Sequence, residues 1–478
     1  MSERLPGIEP ARPPEPRKSA LAMVVRRGTA GRWEVLLGLR SRRSGFFPSN
    51  WAFPGGRLEE EDGEGEAGYA RCASRELAEE TGLEIPPERL APVGFKRTPS
   101  FHPRRYDTLF FLAELPAGQA LPDTPPIPEE TEALRFFDPR AILAEWQAGR
   151  ALLPPPLPPL LRAMEDPRAD TLEGLLAVLR EANEIAERVH RIEFVPGAWL
   201  LPVRSETLPP ATHTNCWLAG GRRFVIVDPG SPDREENDRL LAVIERRRRE
   251  EGDEPVAVVL THHHRDHVDG APAVARALDL PIRAHPATVP LLPFGDDPRV
   301  RGDLVEGLVL DLGGVSLEVI ETPGHAPGHV VLRCPERRYT LAGDLVSGFG
   351  SVYVGPRRGD MGAYMDSLRR LAARDPGLLH PGHGPPLPPR ALAAALAHRE
   401  EREAKILALL SAGPRTLGEI AGAAWDDRPH APERLRRDQA LSHLLDLERR
   451  GRVHRAGEET EGPWFPGPGA PRPRPAGA

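Results

Sequence analysis

Cysteine is scarce and odd in number. The three thiols, Cys72, Cys216 and Cys334, lie far apart, which excludes a disulfide framework and any CxxC metal knuckle and makes a reducing cytoplasm the expected location. Excess positive charge is also missing. At a net charge of -7 the chain has no overall field to hold nucleic acid, so an RNA-directed role would have to rest on a local basic patch. Long apolar runs are absent: no stretch approaches the ~18 residues of a membrane span, and the opening MSERLPGIEPARPPEPRKSA has no signal-peptide core. No membrane partner is expected. What the chain has in quantity is length, 478 residues, and proline, 56 of them. A single core stops growing at about 250 to 300 residues, so two or three compact units joined by proline-rich seams are expected.

The composition shifts along the chain place the seams. Residues 1–18 are proline-rich and charged and read as a disordered arm. From LAMVVRR through WEVLLGLR, short β-branched and leucine-rich runs alternate with turn residues, and a helical pattern starts near Gly68, giving an α+β unit over residues 19–150. Residues 151–188, opening on LLPPPLPPLLRAM, read as a proline-rich linker followed by a helix, because each proline lacks an N–H donor. Over residues 189–395 the segments RRFVIVDPG, VAVVLTHHH, SLEVIETPGH, RYTLAGD and LLHPGHG repeat one scheme, a buried apolar strand running directly into a loop of His, Asp and Gly. Loops of that kind on one rim of a sheet form the crevice where α/β proteins bind ligands. Residues 396–465 carry three helical patterns and a short strand-like RVHRAG, and 466–478 read as an unstructured tail.

The string THHHRDHVDG holds His262, His264, Asp266 and His267 in the spacing HxHxDH. Imidazole nitrogen and carboxylate oxygen suit zinc, a catalytic zinc takes about three protein ligands, and four such groups in six residues cannot all face one ion. Two adjacent metals are implied. His325, Asp344 and His383, each just past a strand, complete the set. In this order the seven residues resemble the metallo-β-lactamase superfamily, in the hydrolase branch with glyoxalase II and the lactamase-β-like protein 2 group. The resemblance implies an αβ/βα sandwich over about residues 190–395 with two Zn²⁺. His262, His264 and His325 would hold one, Asp266, His267 and His383 the other, and Asp344 would bridge them, with Asp266 counted also as catalytic. Asp228 in VDPGS would support the metal loop, His329 is a candidate for touching substrate, and Asp269 stands where many relatives have glycine. Two metals ~3.5–4 Å apart can acidify a water and polarise a carbonyl or phosphoryl oxygen, without a serine or cysteine nucleophile.

A second constellation lies in FPGGRLEEEDGEGEAGYARCASRELAEETGL. Glu76, Glu79 and Glu80 at i, i+3, i+4 share one helix face, Ala70, Ala73 and Leu77 form the apolar stripe, and Gly82 stops the helix. Crowded carboxylates call for a hard cation, and Mg²⁺ favours oxygen ligands together with a bound diphosphate. With Gly55 and Gly56, the REL-x-EE-x-G string resembles the Nudix hydrolases. The resemblance implies an α/β/α sandwich, Mg²⁺ or Mn²⁺ on Glu76, Glu79 and Glu80, catalytic roles for Glu79 and Glu80, an orienting role for Arg75, and substrates in which a nucleoside diphosphate carries another group. The family box, GX5EX7REUXEEXGU, is interrupted here: Gly56 and Arg75 enclose residues 57–74, five more than the box allows. Counted back from Arg75, the first box glutamate falls on Ala67, with Glu66 or Glu59 as replacements through a shifted loop. The flanking strings look most like the coenzyme A diphosphatase branch, and Glu130 or Glu132 is a candidate further glutamate.

The C-terminal pattern resembles the winged-helix-like tail of lactamase-β-like protein 2, whose group implies cleavage of single-stranded RNA, and Arg434, Arg436 and Arg437 form a local basic cluster. The fold class expected is therefore multidomain α+β, a Nudix α/β/α sandwich followed by a metallo-β-lactamase sandwich and a small helical unit. The expected activity is metal-dependent hydrolysis of small esters, thioesters or phosphodiesters joined to a diphosphatase. Competing readings are an endoribonuclease guided by the tail and a Nudix half that only senses ligand.

Overall fold

The computed structural model describes residues 14–467, apart from 30, 43, 45, 100, 101, 103, 128, 190, 191 and 429. Most of the expected arm and tail, residues 1–13 and 468–478, lies outside the described residues, while Arg17 and Lys18 already belong to a strand. The chain divides into two compact units at Leu201/Pro202, inside the strand Ala198–Arg204.

In the first unit, β1 (Arg17–Arg27) pairs antiparallel with β2 (Trp33–Arg40) and with β3 (Gly55–Arg57). Helix α1 (Gly65–Thr81) follows, then β4 (Ala91–Arg97), β5 (Tyr106–Glu114), β6 (Thr131–Phe137) and helix α2 (Pro139–Gln147). Strand β5 runs parallel to β1 and antiparallel to β4. The alternation in β1 sends Ala20, Ala22 and Val24 to one face, where they meet Ala70, Ala73 and Leu77 of α1, and Met23 and Val25 to the other. That other face explains a difference from the expected organisation. The segment that reads as a linker forms α3 (Leu157–Ala163) and α4 (Leu172–Val189), and its Leu157, Leu160, Leu161, Leu175 and Leu179 are buried with Met23 and Val25. Prolines 158 and 159 sit in the first turn of α3, where a missing N–H costs nothing, so the proline run starts a helix here.

In the second unit, β7 (His213–Gly220), β8 (Arg223–Val227), helix α5 (Arg234–Glu251) and β9 (Glu254–Val259) lead to the short helix α6 (Arg265–Val268), then α7 (Ala271–Leu278), β10 (Ile282–Ala284) and β11 (Val300–Gly302). Within their sheet these strands run in the order β11-β10-β9-β8-β7, with β8 to β11 parallel, and the strand Ala198–Arg204 follows β7. A second sheet has the order β12 (Val309–Asp311), β13 (Ser316–Glu321), β14 (Val330–Cys334), β15 (Tyr339–Gly343), β16 (Leu378–Pro381), with only the β15–β16 pair parallel. Helix α8 (Met361–Ala372), between β15 and β16 in the chain, lays Tyr364, Met365 and Leu368 over Ile320, Val331 and Ala342. Strand β15 is buried at every residue, the pattern of a strand covered on both faces.

Three helices and a hairpin close the unit: α9 (Arg390–Ser411), α10 (Leu417–Ala424), α11 (Glu433–Arg449), β17 (Val453–Arg455) and β18 (Trp464–Pro466). Ile406, Ile420, Leu444 and Trp464 share a core of their own. Among the described residues no helix is long and apolar enough to cross a membrane.

Candidate metal centres

Each residue of the seven-membered series follows a strand, and the strand ends converge. Asp228 comes directly after β8, the HxHxDH run after β9, His325 after β13, Asp344 after β15 and His383 after β16. Two donor groups result. His262 Nε2 lies 3.0 Å and His325 Nε2 2.9 Å from His264 Nδ1, and His325 Nε2 is 3.6 Å from Asp344 Oδ2. In the other, His267 Nε2 lies 3.2 Å from His383 Nε2, which is 3.3 Å from Asp266 Oδ2. Asp344 Oδ1 faces this second group, 3.5 Å from His267 Nε2 and 3.6 Å from His383 Nε2.

The hydrogen-bond network assigns the ring protons. Thr261 Oγ1 gives its hydrogen to Asp228 Oδ2 at 2.6 Å, so His262 Nδ1, 3.0 Å from that hydroxyl oxygen, donates to it. His325 Nδ1 donates to the Tyr353 carbonyl at 2.8 Å, His267 Nδ1 to Asp228 Oδ2 at 2.8 Å, and His383 Nδ1 to the His213 carbonyl at 3.0 Å. In every case Nε2 is left with its lone pair pointing inward. Nitrogens of His267 and His383 facing each other across 3.2 Å, beside a buried Asp344 Oδ1 that has no hydrogen-bond partner, call for positive charge between them, supplied by a proton or a metal ion. The nitrogen and carboxylate donors fit zinc.

Electrostatics agree. Burial and the neighbouring rings hold His262 and His264 well below the ordinary imidazole value, and burial lowers His325 as well. At His267 burial also opposes charge, but the carboxylates of Asp344, Asp266 and Asp228 outweigh it and raise the ring to about 10; His383 is raised for similar reasons by Asp344 and Asp266. This half of the pocket demands positive charge. Burial pushes Asp266 up, yet the His267 and His383 rings hold it well below the carboxylate range.

Asp228, His262 and His267 also lie close enough to make a third donor group. Both Asp228 oxygens are already used, Oδ1 by the Thr261 N–H at 2.8 Å and Oδ2 by Thr261 and His267, which places it to orient the His267 ring directly and the His262 ring through Thr261, where the resemblance implies support of the metal loop. Asp228→Ala is expected to weaken metal binding about 10- to 100-fold while the chain stays folded, as read by chelator competition and circular dichroism.

His329 corrects an expectation. Its ring is fully buried, with Nδ1 on Thr322 Oγ1 at 2.8 Å and Nε2 accepting the Asp344 backbone N–H at 3.1 Å, so it holds Asp344 in place and has no face for substrate. His263 turns toward Arg358 and belongs to neither donor group. Asp269 pairs with Arg265 at 2.9 Å and belongs to neither donor group. Asn215 escaped sequence reasoning altogether: its side-chain amide donates to the carbonyls of Pro381 and Gly384 at 2.9 and 2.8 Å, bracketing His383. Gly382, between them, is obligatory, since a Cβ there would sit 2.5 Å from His267 Cε1 and 2.6 Å from Asp344 Oδ1.

In the first unit α1 carries Glu76, Glu79 and Glu80 toward the Gly55-Gly56 strand. Gly55 N–H donates to Glu80 Oε2 at 3.1 Å, and a Cβ on Gly56 would lie 2.4 Å from the Glu76 carboxylate, which is why glycine stands there. Burial raises Glu76, and raises Glu80 to about 7 against the pull of Arg40 and the Gly55 N–H, with Glu76 and Glu130 adding to it. Glu79 is half exposed and shares the Arg75 guanidinium with Glu76, at 3.2 and 3.0 Å. Of the two further glutamates, Glu130 adds charge to this cluster, whereas Glu132 accepts the Arg42 N–H at 3.0 Å.

The first box carboxylate is Asp62, not Glu66 or Glu59. Arg75 Nη2 and Nε reach its two oxygens at 2.9 and 3.2 Å, and it is 4% exposed. Counted forward from Gly56 it falls in the box position; the extra residues enter after it, where Gly63 and Gly65 take the positive φ values of 74° and 68° that the detour requires. Asp62→Ala leaves the guanidinium without its main partner, and a loss of about 1–3 kcal/mol in the stability of the first unit is expected by urea titration.

A sandwich whose strand-end loops gather two histidine-carboxylate groups around a shared aspartate defines a metal-dependent hydrolase. Similarity to known proteins agrees: residues 209–383 match the family model of the metallo-beta-lactamase superfamily, and residues 16–154 that of the NUDIX domain. Over 240 residues the chain is 36% identical to the hydroxyacylglutathione hydrolase of Anaeromyxobacter dehalogenans, covering 49% of this chain and 82% of that protein. It is 28% identical over 211 residues to the atrochrysone carboxyl ACP thioesterase AgnL7 of Paecilomyces divaricatus, covering 44% of this chain and spanning 62% of that protein's length. Among solved structures, the metallo-beta-lactamase family protein TTHA1429 from Thermus thermophilus is 25% identical with a TM-score of 0.46, covering 57% of this chain and 100% of that one. The chain belongs to the metallo-beta-lactamase superfamily and carries a NUDIX domain ahead of that fold.

Proposed function

We propose that the second unit is a dinuclear zinc hydrolase of small thioesters or esters, and that the first is a Mg²⁺- or Mn²⁺-dependent diphosphatase. The inward lone pairs of the four oriented rings around Asp344 carry the first half of this reading. His262, His264 and His325 would hold one zinc, Asp266, His267 and His383 the other, with Asp344 between. Bound zinc would supply Lewis acidity, acidifying a water and polarising the substrate oxygen. The chain's own part is orientation: Asp228 and the Tyr353 and His213 carbonyls keep the rings in one tautomer, and Asp266, held ionised, would accept a hydrogen bond from the attacking water and orient it. Thioesters are favoured over other esters by the thioesterase among the relatives.

In the first unit, Glu76, Glu79 and Glu80 offer the oxygen-only donor set that suits a hard cation bound with diphosphate. Burial raises Glu80 to about 7, so a divalent ion bound there would displace a proton from it at neutral pH. Glu80 is the group we assign to proton abstraction.

The tail's basic cluster gives no support to an RNA role. Arg437 pairs with Glu461 and lies 3.8 Å from Glu433, while Arg434 lies 3.9 Å from Asp438. Cys72, Cys216 and Cys334 are free and buried, in keeping with a reducing cytoplasm. The test is one purified chain offered an acyl-thioester, a panel of nucleoside diphosphate derivatives and a single-stranded RNA. Metal-dependent thioester and diphosphate cleavage is expected; RNA cleavage with inert thioester would overturn the reading.

A further inference from the structure

Residues 351–360 have no helix or strand, yet Val352 and Val354 are buried in them. Buried carbonyls in such a segment must find partners outside regular structure. Here they find the C-terminal helices. Val354 O accepts from Gln439 Nε2 at 2.8 Å and from Ser442 Oγ at 2.7 Å, both on α11. Val352 O accepts from Arg399 of α9, which also donates to Gln439 Oε1 at 2.9 Å and so fixes the Gln439 amide. Arg399, Gln439 and Ser442 are 2%, 8% and 4% exposed, so these are water-excluded contacts. On either side the grip repeats: Tyr353 Oη donates to Asp438 Oδ2 at 2.7 Å, and Arg449 binds Asp360.

The gripped segment holds His325 from two sides. Between the two held valines, the Tyr353 carbonyl accepts the His325 Nδ1 proton, and the Asp360 N–H donates at 2.7 Å to the carbonyl of Gly324, the residue before His325. The backbone between Val352 and Val354 can shift the Tyr353 carbonyl only by breaking bonds to α9 and α11.

We propose that the C-terminal helical unit is part of the metal site's positioning apparatus. Gln439 and Ser442, with Arg399 behind them, are positioning residues that fix the tautomer and tilt of the His325 ring through the Tyr353 carbonyl. Outer partners of metal-bound histidines change metal affinity by about 10- to 100-fold, and a partner held one bond further out acts at the low end of that range. The inference rests on the reading of His325 as a metal ligand, and gives the tail an intramolecular task in place of a nucleic-acid one.

The test uses the full chain with both sites filled and Gln439→Ala/Ser442→Ala as the variant, read by chelator competition and by the absorption spectrum of the Co²⁺-loaded form. One of the two metals is expected to be held about tenfold more weakly, with a changed spectrum for that ion alone, while the second metal is held as in the parent; the metal-free chain unfolds at a lower midpoint, because the buried Val354 carbonyl loses both donors. Two metals held as in the parent would overturn the proposal. So would equal weakening of both metals, the mark of a merely structural role. Should the double variant fail to fold, Ser442→Ala alone and Tyr353→Phe replace it, with a smaller loss at the same single metal expected and no loss in either overturning the proposal; Ser442→Thr, which keeps the hydroxyl, should restore the parent value. A parent chain that binds no metal at the second unit would instead defeat the underlying assignment of the ligands.

Discussion

His264→Ala should abolish thioester hydrolysis, by at least about 10³-fold, and remove one equivalent of metal, while diphosphate hydrolysis by the same chain is untouched. His264 Nδ1 is the point on which the His262 and His325 lone pairs converge, at 3.0 and 2.9 Å, so its loss leaves two buried rings aimed at an empty centre. The other donor group keeps Asp266, His267 and His383 and should retain its ion. A reaction that draws on two Lewis-acidic ions loses several kcal/mol of transition-state stabilisation with either one, and each ~1.36 kcal/mol is tenfold in rate. Metal analysis beside steady-state kinetics checks it. Full metal content with parent turnover would remove His264 from the site. Loss of both activities at once would mean instead that the two halves do not act independently.

The histidine-aspartate series is legible in the sequence because its geometry is carried by local pattern. Each residue of the series stands in a loop just past an apolar strand, and parallel or adjacent strands ending on one rim leave their loops nowhere to go but together. What keeps the rings aimed is not legible there. Asn215, the Tyr353 carbonyl and the His329 contact to the Asp344 backbone act across 166, 28 and 15 residues of sequence, through backbone groups that every residue possesses. No motif marks them.

Two features of the first unit depart from the sequence pattern for physical reasons of the same kind. Prolines 154–156, 158 and 159 read as a seam because a proline breaks the interior of a helix or sheet, yet at a helix start the same residue is preorganised, and the leucines between and after them are free to be buried. Asp62 is hidden from a count that runs backward from Arg75, because that count passes through the detour. A carboxylate that is one methylene shorter than glutamate still reaches the guanidinium, since the 3-10 turn Glu60–Asp62 brings its backbone in close.

Glu80→Gln should reduce Mg²⁺-dependent diphosphate hydrolysis by about 10²–10⁴-fold, the range that a positioned general base contributes. The substitution is nearly isosteric, and the amide oxygen can still accept the Gly55 N–H that ties α1 to β3, so the fold should survive. What changes is the proton chemistry. Burial raises the Glu80 carboxyl to about 7, the region in which a group can both take a proton and release it at neutral pH, whereas an amide can do neither. Glu79, half exposed and paired with Arg75, is expected to matter more for holding the cation, so Glu79→Gln should raise the Mg²⁺ concentration needed for half-maximal rate. Thioester hydrolysis in both variants should stay at the parent rate. Glu80→Gln with parent diphosphatase kinetics would remove it from the chemistry, and a parent chain that binds the diphosphate panel without cleaving it would make the first unit a ligand sensor.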